Sequence, residues 1–168
     1  MFQIMVAMKH KKIERKIKTM LILFIVFLVL SGITAFPLET ELKFLLSMKD
    51  YFPPVVGEWL QRVAFAITDT NLKYPFMSYG TDWLAFAHIV IAVAFIGPLR
   101  DPIRNIWVIQ FGMIACVMIF PLAIICGPIR HIPFYWQLID CSFGVIGFIP
   151  LYCCHHWIKQ LELLTKNK

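Results

Sequence analysis

The chain has 168 residues, 60% of them hydrophobic and 15% charged, with a formal net charge of +6 and a mean hydropathy of +0.73. Soluble domains carry roughly 45–50% apolar and about 25% charged residues, so this composition points away from a water-soluble domain and towards a lipid-embedded one. The positive charge does not describe a nucleic-acid surface: six basic residues fall between Lys9 and Lys18, and no basic face stands outside that tract.

Residues 1–19 read as a basic cytoplasmic N-terminus, because basic residues next to a span stay on the inner side. Residues 20–36 are apolar throughout. Their helical length of about 25 Å is marginal for a hydrocarbon core of about 30 Å. They are read as transmembrane helix 1. A cleaved signal peptide is the alternative, with Ile33-Thr34-Ala35 as a cleavage-like site.

Residues 37–80 read as an outer amphipathic helical segment. Leu38, Leu42, Leu45 and Leu46 fall at helical spacing, Pro53-Pro54 interrupts, and Val56, Trp59, Leu60, Val63, Ala64 and Ile67 resume the pattern. One or two short helices lying along the membrane surface are expected.

Residues 81–157 read as a three-helix transmembrane region. The second crossing is expected over Thr81–Ile96, stopped by Gly97-Pro98, with Asp101 capping the third and Pro102 in its first turn. The third is expected to run to Cys126 and stop at Gly127-Pro128. The fourth runs from Phe134 to His156, and residues 158–168 form a cytoplasmic tail. The distribution of Lys and Arg places both termini in the cytoplasm, with Arg130 the one basic exception on the short outer turn. The fold class is therefore all-α: an integral membrane bundle of four transmembrane helices in the cell membrane. A weak echo links Gly97-Pro98-Leu99-Arg100 to Gly127-Pro128-Ile129-Arg130, read as repeated helix-stop chemistry.

Ionisable groups inside a span are costly and mark sites or structural locks. His88 and Asp140 each lie six residues into a crossing, about 9 Å along the helix, and so share a depth in the outer half. Asp140, Gly144, Gly147 and Leu151 make a small-residue stripe that lets a neighbouring backbone approach. A His88–Asp140 pair, with Arg130, His131 and Asp82 near the same level, is the candidate ligand-binding or buried polar site. No catalytic residue is assigned: Ser78 and Ser142 are the nearest nucleophile candidates, and neither has a nucleophile-elbow context. Arg100 and Arg104, four apart, suit a lipid headgroup. Gln110 is expected to bond across helices.

The five cysteines lie in apolar runs without a C-x-x-C, and behave as small hydrophobes. No metal and no cofactor is expected; Cys153, Cys154, His155 and His156 point in different directions on a helix and cannot converge on one ion. The expected function is that of a non-enzymatic scaffold, subunit or small-molecule or lipid binder. The alternative is a membrane-embedded enzyme or proton-linked transporter using His88 and Asp140. Expected partners are membrane lipids and either a membrane-protein partner or a second copy, with no nucleic acid.

Overall fold

The computed structural model describes residues 2–166, and all regular structure in that range is helical. The helices are α1 (Phe2–Ala35), α2 (Leu38–Ser47), α3 (Pro54–Lys73), α4 (Tyr79–Ala94), α5 (Ile96–Arg100), α6 (Ile106–Ile129) and α7 (Phe134–Lys166). Four stretches, Met8–Ala35, Pro75–Arg100, Ile106–Ile129 and Phe134–Thr165, are long and apolar enough to cross a membrane. The chain divides into two compact units: residues 27–92, and residues up to 26 together with those from 93 onward.

In the first of these units α2 and α3 form a hairpin joined by the 3-10 turn Lys49–Tyr51. The break has a local cause. Pro53 is extended, and Pro54 opens α3 at a position that needs no backbone donor. The Pro53 carbonyl takes up the amides of Val56 and Gly57 at 2.9 and 3.1 Å. Leu42 from α2 and Leu60 from α3 are buried, at 7% and 4% exposure. In the same unit α1 meets α4 at Gly32. A Cβ there would stand 2.8 Å from the Ala85 carbonyl oxygen and 2.9 Å from Ile89, so only glycine permits this approach.

In the other unit the early part of α1 runs beside the late part of α7. Ile13, Ile17 and Leu21 are buried on one side, and Leu151, Cys154, Ile158 and Leu161 on the other. The α7 positions recur at alternating steps of three and four, the spacing that keeps one seam facing a partner helix. Lys16 Nζ lies 5.5 Å from the Trp157 ring centroid, and the Phe24 ring packs at 4.8 Å on Phe95. The small-residue stripe of α7 meets α6. A Cβ at Gly144 would fall 2.7 Å from the Cys116 carbonyl oxygen, and one at Gly147 would fall 2.9 Å from the Cys116 sulfur.

Both Gly-Pro pairs depart from the sequence expectation. Neither stops a helix: no glycine has positive φ, and each pair lies inside helical turns. The chain breaks at Phe95, before Gly97, and α5 then carries Pro98 in its first turn, where a missing N–H costs nothing. Pro102 does not open the third long helix either; α6 starts at Ile106, after a turn that Asp101 closes by accepting the Arg104 amide at 3.0 Å. At the other end α6 continues through Pro128 and stops at His131, whose φ is +55°. The Ile132 amide reaches the Gly127 carbonyl at 2.9 Å and the His131 amide reaches that of Pro128 at 3.1 Å. That crossed pair is the Schellman closure of a helix C-terminus, with His131 in the position glycine usually takes.

The two glycines share a different role. Asn105 packs on Gly97, at 3.3 Å from a Cβ there, and donates to the carbonyls of Gly97 and Asp101 at 3.2 and 2.9 Å. Gln137 packs on Gly127 and donates to the Ile132 carbonyl at 2.8 Å. Each turn is thus tied by a downstream amide. Gln110, by contrast, is exposed and has no hydrogen bond among the described residues, so the amide that ties α6 to α7 is Gln137.

Candidate functional site

The unit of residues 27–92 contains a cavity of about 420 Å³. Its walls are Phe36 and Pro37 after α1, the first turn of α2, the last two turns of α3, and the chain from Met77 to Asp82 entering α4. Its volume falls in the range of about 300–1,000 Å³ usual for small-ligand sites.

One wall is a polar network centred on Glu39. This residue sits in the first turn of α2, where the exposed amides of a helix N-terminus favour a negative charge. Lys43, one turn on, places Nζ 2.9 Å from Glu39 Oε1. Thr68 and Asn71 lie three apart on α3 and so share a face. Thr68 Oγ1 donates to Glu39 Oε1 at 3.2 Å, and Asn71 Nδ2 donates to Oε2 at 3.1 Å. The Ser78 hydroxyl donates to Asn71 Oδ1, and Thr81 Oγ1 donates to the Ser78 carbonyl at 2.6 Å. Six side chains from three helices and a turn are held in one arrangement. The bonds from Lys43, then Asn71 and Thr68, hold the Glu39 carboxyl below its ordinary range, so it stays ionised. The facing surfaces of Phe36, Leu38, Ala66, Ile67 and Met77 are apolar. The cavity is therefore lined by fixed polar groups and apolar side chains together, the composition of a binding site for an amphiphilic molecule.

Among the residues singled out from sequence, Asp82 lines this cavity. His88 lies further along α4, and its Nδ1 donates to the Leu84 carbonyl of the same helix at 2.8 Å. Asp140 belongs to the other unit, on α7; it is half-buried and carries no hydrogen bond or ion pair among the described residues. Arg130 is exposed at the end of α6, and His131 forms the left-handed residue that closes it. Arg100, the last residue of α5, and Arg104, on the turn between α5 and α6, are exposed. Both candidate nucleophiles donate elsewhere: Ser78 to an amide oxygen and Ser142 to the Ile139 carbonyl at 2.6 Å. Among the described residues neither hydroxyl donates to a base that could take its proton.

Sequence reasoning missed Glu39, Lys43, Thr68 and Asn71. Two faint signals were present: the Glu39/Lys43 pair four apart, and the Thr68/Asn71 pair three apart beside the apolar stripe of α3. Their convergence links residues 29 and 32 positions apart, which only the hairpin brings together. Compared with known protein families, curated proteins and solved structures, the chain matches none.

Proposed function

We propose that this chain is a multi-pass membrane protein whose function is to bind a small amphiphilic molecule in the cavity of residues 27–92, without chemical conversion. In this reading the four long apolar helices cross the bilayer, both termini face the cytoplasm, and α2 and α3 lie at the outer surface. The Lys and Arg distribution supports that orientation. The packing of Ile13, Ile17 and Leu21 alongside α7 supports retention of the first helix.

The observation that carries the binding function is the cavity itself, lined by Glu39, Asn71 and Ser78 of the polar network together with apolar side chains. The absence of a base beside Ser78 or Ser142 among the described residues favours binding over hydrolysis.

The test has two parts. Cysteines placed at Leu72 and Arg104 in a cysteine-free background report orientation. Outside reagent is expected to label the first and not the second. Native mass spectrometry of the purified protein is expected to show a bound amphiphile that Thr70→Trp, which fills the cavity, removes. An unliganded wild type under gentle extraction overturns the binding reading. A mature chain beginning at Phe36 replaces the first crossing with a signal peptide.

A second reading, as a subunit, rests on Asp140. An intramembrane carboxylate with no hydrogen bond or ion pair among the described residues suits a polar group on a neighbouring helix, from another protein or a second copy. Cross-linking from a cysteine at Phe143, exposed on the same helix, reports such a neighbour.

A further inference from the structure

The charge of the cavity narrows what it takes. Only two lining residues are charged, Glu39 and Asp82, and both are carboxylates. They are not equivalent. Glu39 is matched by Lys43 at 2.9 Å and by two further donors. Asp82, half-buried in the first turn of α4, has no hydrogen bond or ion pair among the described residues. The cavity therefore holds one uncompensated negative charge, beside the apolar surfaces of Phe36 and Met77. Two hydroxyls in the same lining, Thr40 and Thr70, make no side-chain hydrogen bond among the described residues.

We infer that the cavity binds a monocationic ammonium group carried on an apolar body, with Asp82 as its counter-ion; this rests on the binding function proposed above. The chemistry is selective in three ways. An ammonium has three donors, and Asp82, Thr40 and Thr70 are uncommitted acceptors in the one lining. An anion meets Asp82 with like charge, and a neutral headgroup leaves that carboxylate partly desolvated and unmatched. A dication finds no second free charge, because Glu39 is already paired with Lys43. The ammonium can belong to a lipid headgroup such as ethanolamine or to a free alkylamine.

The test uses the full chain in neutral detergent, with thermal shift and native mass spectrometry as readouts. The probes are octylamine, 1-octanol, octanoate and dihexanoyl phosphatidylethanolamine. Octylamine or the ethanolamine lipid is expected to bind saturably and at least about tenfold more tightly than octanol, the ratio of one favourable ion pair of about 1.4 kcal/mol. Octanoate is expected not to bind. Asp82→Asn is expected to erase the preference over octanol, while Asp69→Asn, whose carboxylate pairs with Lys73 outside the cavity, leaves it intact. Selectivity for the lipid alone assigns the headgroup as source, and selectivity for octylamine alone assigns a free amine. Thr70→Trp is expected to abolish binding of all probes, and serves also if Asp82→Asn does not fold. Equal binding of octylamine, the ethanolamine lipid and octanol, unchanged by Asp82→Asn, overturns the ammonium inference and leaves the binding function standing. Binding of no probe at all overturns both.

Discussion

Gln137 occupies the space that a β-carbon on Gly127 would need, while its own amide donates to the Ile132 carbonyl at 2.8 Å. Residue size at one position is therefore tied to the hydrogen bond made by the other. Gly127→Ala is expected to destabilise by about 1–3 kcal/mol, because Gln137 must leave its rotamer and its acceptor. In the Gly127→Ala/Gln137→Ala double variant the clash is gone, so the cost is expected to fall below the sum of the singles. Thermal unfolding of the four proteins in one detergent measures the coupling, and additive energies would refute the contact.

The residue that closes α6 predicts the opposite sign. His131 has φ +55°, a conformation in which a β-carbon is strained and glycine is not. His131→Gly is expected to stabilise by about 0.5–1 kcal/mol, and His131→Val to destabilise. If His131→Gly lowers the melting temperature, the imidazole itself makes a contact that matters more than the backbone.

Glu39 makes stability depend on pH. Its folded carboxyl is held below the ordinary value of 4.5, first by Lys43 and then by Asn71 and Thr68. A depressed acid contributes stability that is fully present above the unfolded pKa and is lost as pH falls through the folded one. The melting temperature of the wild type is therefore expected to fall below about pH 4.5 more steeply than that of Glu39→Gln. Parallel profiles for the two proteins between pH 6 and pH 3 would show that the network does not bias folding.

Within the hairpin, Leu60 is buried and its neighbour Gln61 is exposed. Leu60→Lys is expected to cost about 2 kcal/mol or more, since a charge enters an apolar contact, whereas Gln61→Lys is expected to cost less than about 0.5 kcal/mol. Similar melting temperatures for the two variants would refute the side of α3 assigned to the hairpin interior.

Asn105 closes the turn between α5 and α6 through two carbonyls. Asn105→Ala is expected to cost about 1–2 kcal/mol, and Asn105→Asp to cost a similar amount because an ionised carboxylate cannot donate. A neutral effect of Asn105→Ala would show that Asp101 alone holds the turn.

The helices were legible because apolar runs and prolines are local signals. Pro53-Pro54 marked the start of α3, and the glycines after Asp140 marked a close approach that α6 makes at Cys116. The Gly-Pro pairs were legible as punctuation but not in kind. Sequence alone does not distinguish a glycine that ends a helix from one that makes room for Asn105 or Gln137, because that depends on side chains eight and ten residues away. The cavity was illegible for the same reason on a larger scale. Asp82 stood out as a charge near an apolar run, whereas Glu39 and Asn71 are unremarkable until a hairpin places them 3.1 Å apart.

The seam between α1 and α7 sets an order of events during synthesis. A chain leaves the ribosome from its N-terminal side, so Ile13, Ile17 and Leu21 emerge long before Leu151, Cys154, Ile158 and Leu161 exist to cover them. Throughout that interval the apolar side of α1 must be sheltered by the insertion machinery, by lipid or by a chaperone. Nonsense codons before residue 151 would remove the α7 half of the seam and leave the apolar side of α1 without it.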